Sequence, residues 1–171
     1  MRTKFGVYSA VIAIVALGVL VFGSAPAAAG GKSKQHFLRI VAIEKQSEFL
    51  DLGTPGPSLG DEFVFSEVLY IRGREVGESG GVCTATQVMP PYDVITFNCV
   101  ATLRLRRGQI TLQGLIDVQG EDDPGPFTVA ITGGTGAFRC ACGEAVIRQV
   151  SSTRSIYKLR LDSCKKNKHR R

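Results

Sequence analysis

The chain has 171 residues, with 21 Lys and Arg against 15 Asp and Glu. Two of the cations precede residue 30 and five sit in the last seven residues, so the stretch between carries 14 basic against all 15 acidic residues. Such a body has no net basic character, which argues against nucleic-acid binding, and its length suits one domain with a single core.

Arg2 and Lys4 open the chain, an uncharged and mostly apolar run follows from Phe5 to Phe22, and Ser24-Ala25-Pro26-Ala27-Ala28-Ala29-Gly30 comes next. This is the order of an export signal, with small residues at the cleavage site, and it places the cut after Ala29. Secretion is the expected location. The alternative is a retained anchor, because residues 5–22 are just long enough to cross a bilayer. The expected organisation is a signal over residues 1–29, a folded domain over 30–164 and a basic, disordered tail over 165–171. Such a tail can touch anionic surfaces.

Past residue 30, short runs of Val, Ile, Phe, Thr and Leu recur between Gly, Pro and Asp clusters, the pattern of strands and turns. The expected strands cover 36–43, 48–52, 61–71, 81–88, 94–106, 109–117, 126–132, 140–149 and 154–162. Eight or nine strands with short connections predict an all-β barrel or sandwich of antiparallel neighbours. Alternation puts Phe63, Phe65, Glu67 and Leu69 on one face and Val64, Ser66, Val68 and Tyr70 on the other. Both faces are largely apolar, so a second cover, such as another subunit, is expected over the outer one. In the same way Phe97, Cys99, Ala101, Leu103 and Leu105 share a face.

All five cysteines follow residue 30, and an oxidising compartment lets them pair. The turns near Pro91 and Ser152 place Cys83 opposite Cys99 and Cys140 opposite Cys164, which predicts two hairpin disulfides with Cys142 left over.

Several residues together resemble a family. Leu59-Gly60-Asp61 leading into Phe65, Gly80-Gly81-Val82-Cys83, Gly108-Gln109-Ile110-Thr111-Leu112-Gln113-Gly114 and Ile131-Thr132-Gly133-Gly134-Thr135-Gly136-Ala137-Phe138-Arg139 follow in the order seen in the allene oxide cyclase and dirigent superfamily. The resemblance runs from about residue 38 to 161. It implies an eight-stranded antiparallel barrel around an apolar cavity, a homotrimer, and an apolar or aromatic ligand whose cyclisation or coupling the protein steers. Of the cyclase pocket residues only Cys83 matches, while Ala42 and Glu44 stand where cyclases carry glutamate and asparagine. On the dirigent side Glu67 matches the second acid of a Phe-Asp-Asp pattern and Arg139 the first arginine of Phe-Arg-x-Ala-Arg-Gly, with Ser66 and Cys142 replacing their companions.

Set among Phe63, Phe65 and Leu69, Glu67 is expected to be buried, and a buried carboxyl must be paired or hold its proton to higher pH. Glu67 is thus the candidate acid or base. Arg139, Phe63, Phe65 and Cys83 are the candidate ligand contacts, with Arg139 near Glu67. The alternatives are an isomerase or cyclase acting through Glu67, and a structural or surface-attached protein. Other chemistry has little material. Gly133-Gly134-Thr135-Gly136 lacks the Lys-Ser/Thr ending of a phosphate loop, and His36 and His169 are the only histidines. Cys140-Ala141-Cys142 is too tightly spaced for a structural zinc site, and Glu121-Asp122-Asp123 runs into Pro124-Gly125 as a loop does. No metal and no cofactor are expected.

Overall fold

The computed structural model describes residues 35–89, 94–119 and 125–163. The expected export signal, the basic tail of 165–171 and Cys164 lie outside them.

Eight strands follow one another around a closed barrel: β1 (His36–Leu50), β2 (Glu62–Ile71), β3 (Arg74–Met89), β4 (Val94–Leu105), β5 (Gly108–Gln119), β6 (Phe127–Gly134), β7 (Ala141–Ser151) and β8 (Arg154–Ser163). Each pairs antiparallel with its neighbours, and β8 closes on β1 with Tyr157 opposite Ile40. The expected all-β barrel is therefore present, with two differences in its elements. Segments 36–43 and 48–52 are one strand, because a bulge between Glu44 and Gln46 absorbs the break in alternation without ending the ladder. Strand β3 begins at Arg74, well before residue 81, because Gly77, Gly80 and Gly81 supply no side chains to show the alternation.

A meander of this kind puts alternate connections at opposite ends. The β1–β2, β3–β4, β5–β6 and β7–β8 connections lie at one end; the β2–β3, β4–β5 and β6–β7 connections lie at the other, with the start of β1 and the end of β8. At the latter end the β2–β3 hairpin turns through Arg72 and Gly73, both at positive φ (50° and 76°), as a twist-compatible two-residue turn requires. The inward side chains near this end, Ile40, Leu69, Leu103, Ile110 and Leu159, are 0 or 1 % exposed and plug the barrel. Each contributes roughly 1.5–3 kcal/mol of burial. Among the described residues, no helix is long and apolar enough to cross a membrane.

At the other end the wall opens. A long connection, residues 51–61, is pinned by Asp61, whose carboxylate accepts hydrogen bonds from the Leu52 and Ser58 backbone N–H groups (3.0 and 2.7 Å) and from Ser58 Oγ (3.0 Å). Those donors hold its pKa below the ordinary carboxylate value. The Ala85 N–H donates to the Asp61 carbonyl and the Gly60 N–H to the Ala85 carbonyl, which fastens the loop to β3.

Candidate functional site

Inside the open half lies a cavity of about 410 Å³, lined by Phe63, Phe65, Phe97 and Phe127 among mostly apolar neighbours. Eight strands enclose room for one small ligand once the side chains of one half are small or aromatic and peripheral. Gly81 is one source of that room. A Cβ there would lie 2.6 Å from Cζ of Phe65, so only glycine lets this ring fold back against the wall. The alternation read from sequence holds: Phe63 and Phe65 line the cavity, and Glu67 and Leu69 are buried on the same side.

Glu67 is the polar exception in this lining. It faces Ser79 across the β2–β3 ladder and Glu44 across the β1–β2 ladder. Ser79 Oγ (2.5 Å) and the Tyr157 hydroxyl (2.8 Å) both donate to its Oε2. No described residue donates to Oε1. Burial pushes the Glu67 pKa up; the Ser79 and Tyr157 donors oppose this, and the like charge of Glu44 adds to it. Tyr157 is itself held well above its ordinary pKa by burial and by the Glu67 carboxylate, so it remains a donor at any working pH. The result is a carboxyl that keeps its proton to higher pH than usual in a mostly apolar cavity. Such a group can give a proton to a bound molecule and take it back.

Cys83 and Cys99 also line the cavity and form the expected disulfide, directly opposed in the β3–β4 ladder. The second expected pair is corrected. Cys140 is a free, exposed thiol, and Cys142 is the disulfide-bonded residue. The physical reason is that β7 begins at Ala141, so Cys140 lies in the preceding turn, where no ladder holds it against a partner.

Arg139 is not brought to Glu67. It is exposed in the turn after a short 3-10 segment (Gly136–Phe138) and does not line the cavity. The β6–β7 connection falls at the plugged end, whereas the cavity opens at the other, a separation that follows from strand order and not from residue type. The arginine at the cavity is Arg154, at the start of β8 beside the mouth. Sequence reading also missed Ser79 and Tyr157, and it named Glu44 only as a departure from the cyclase pattern. Tyr157 was accessible to it, since Tyr157, Leu159 and Leu161 alternate along β8; Ser79 was concealed by its glycine-rich surroundings.

Among known proteins, the allene oxide cyclase barrel-like domain matches residues 41–161. The chain belongs to this family. Sequence comparison with curated proteins finds no match. A solved structure of a pyocyanin demethylase is similar over 74 % of this chain and 99 % of its own, with 33 % identity and a TM-score of 0.64. The Diels–Alderase AbmU from Streptomyces koyangensis is 13 % identical over 80 % of this chain and 72 % of its own, with a TM-score of 0.60. A pterocarpan synthase dirigent protein is 17 % identical over 84 % of this chain and 96 % of its own, with a TM-score of 0.54. The last two share the fold with this family member; they say nothing of its chemistry.

Proposed function

We propose that the protein is an exported barrel that takes an apolar or aromatic small molecule into its cavity and exchanges a proton with it through Glu67, steering a cyclisation or related rearrangement. One observation carries this reading: a buried carboxyl with both protein donors on Oε2, set in an otherwise apolar cavity of ligand size. In the protonated state Oε1–H donates to a basic oxygen or nitrogen of the ligand. After transfer, Ser79 and Tyr157 stabilise the carboxylate, which then recovers the proton from another atom of the same molecule. The barrel supplies no oxidant in this scheme. Phe63, Phe65 and the Cys83–Cys99 disulfide form the contact surface for the ligand ring. The 33 % identical relative, a pyocyanin demethylase, favours a flat aromatic ligand.

Export through residues 1–29 is part of this proposal, and the disulfide is compatible with it, because such bonds persist in oxidising compartments. So is a homotrimer: Val64, Val82 and Val100 line up across the β2–β3 and β3–β4 ladders, and Val100 is 42 % exposed. Native mass spectrometry of the secreted protein reads the co-purified ligand, the subunit count and the N-terminus together. Titration with pyocyanin, with product analysis, tests the site: Glu67→Gln should bind it and not turn it over. Turnover equal to wild type in that variant would remove Glu67 from the mechanism, and failure of every aromatic probe to bind would remove the ligand class.

A further inference from the structure

Folding segregates the charges of this barrel along its axis. The connections at the plugged end present Arg72 and Arg74, Arg106 and Arg107, and Arg139, all exposed. Four acids lie near them: Glu78 is engaged by Arg104 and Glu144 by Arg160, while Glu75 and Asp162 are the other two, fewer than the five connection arginines, none of which makes an ion pair among the described residues. The mouth has the opposite character, with Glu44, Glu48, Asp51, Glu62 and Asp117 against Lys45, Arg148 and Arg154. A body with no net basic character is thus strongly polarised. A further feature belongs to the plugged end. Phe37, near the start of β1, is 74 % exposed, the most exposed of the large apolar side chains described, and pairs across the ladder with Arg160.

We propose that the plugged end is a docking face for an anionic lipid bilayer. The arginines meet the headgroups, Phe37 enters the interfacial layer, and the acidic mouth points away from the membrane. Arginines on one face act together on an extended charged surface, because each gains from the same surface potential. A soluble polyanion such as nucleic acid would use the arginines and leave Phe37 without a role, whereas an aromatic ring amid cations is the combination that interfacial binding uses. The inference is independent of what the cavity holds.

The test uses Lys32–Arg171, which forms a compact unit by itself, with vesicles of phosphatidylcholine alone and of phosphatidylcholine mixed with phosphatidylserine. Sedimentation with the mixed vesicles only, weakening as salt is raised, is expected. The variant Arg74→Gln, Arg107→Gln, Arg139→Gln should lower the partition coefficient about fivefold per charge, with an unchanged melting temperature; should it fold poorly, single variants each give their own fivefold step. Phe37→Ser should weaken the binding that remains at high salt. Deleting residues 165–171 should leave part of the binding. An environment-sensitive dye on the free Cys140, which lies at this end, should shift on binding, while one on Ser152→Cys in a Cys140→Ser background should not. Binding unaffected by the arginine changes, binding abolished by tail deletion alone, a response at Ser152 in place of Cys140, or binding to duplex DNA without binding to vesicles would each overturn the proposal.

Discussion

Replacing Tyr157 with phenylalanine removes one oxygen from the barrel interior and asks whether Glu67 titrates as its surroundings require. The ring packing is kept, and the hydroxyl's bond to Glu67 Oε2 is lost. Below the ordinary glutamate value of 4.5, Glu67 is protonated in both folded and unfolded chains, and a neutral hydrogen bond is removed, at a cost of about 1 kcal/mol. Above the raised folded value the carboxyl is ionised, and the lost bond is charge-assisted, worth about 2 kcal/mol. The sign follows from linkage. A carboxyl with a raised folded pKa contributes stability that is complete below its unfolded value and is lost as pH rises through the folded one. Tyr157→Phe raises the folded pKa further, so the penalty should grow with pH by about 1 kcal/mol across that window. Urea denaturation of wild type and variant at a series of pH values, with carbon-13 detection of the Glu67 carboxyl, measures both effects. Equal penalties at both extremes, or a carboxyl titration that does not move upward, would refute the account of the site.

Glu67→Gln keeps an acceptor for Ser79 and Tyr157 and removes the charge, so its stability should vary less with pH and exceed that of wild type on the alkaline side of the Glu67 titration, as read by thermal melts. Cys83→Ala with Cys99→Ala opens a link of sequence separation 16 and should cost about 2–3 kcal/mol in urea denaturation; reducing agent should cost wild type at least as much, because it also opens the bond at Cys142. Gly81→Ala places a methyl 2.6 Å from Cζ of Phe65 and 2.8 Å from the Val100 carbonyl oxygen. Overpacking of this kind should cost about 1–3 kcal/mol and push the ring into the cavity, so a bulky aromatic probe should bind more weakly while a small one does not.

Much of the wall was legible in the chain because side-chain direction alternates along a strand irrespective of its neighbours. Phe63, Phe65, Glu67 and Leu69 fall inside on that argument alone. The Cys83–Cys99 bridge was legible for a related reason, since a short connection determines which residues of two adjacent strands oppose one another. The same arithmetic failed for Cys140, because register says which residues would be opposite and not where the ladder stops.

The partners of Glu67 belong to a different order of information. Ser79 lies 12 residues away and reaches the carboxylate across the β2–β3 hairpin, whereas Tyr157 lies 90 away and reaches the same oxygen only because β8 closes on β1 beside β2. Placement along the axis is likewise tertiary. Local pattern gave Arg139 a neighbouring strand but not an end of the barrel, and the meander sends it to the plugged end while Arg154 comes to the mouth. The arginines of three separate turns look unremarkable in a chain whose central stretch balances its charges. They become one face because antiparallel strands return alternate connections to the same end. By itself the sequence determined the strands, their inward faces, the family and the acid at the centre of the site; barrel closure decided what surrounds that acid and how charge is distributed around it, since both depend on which distant strands are brought together.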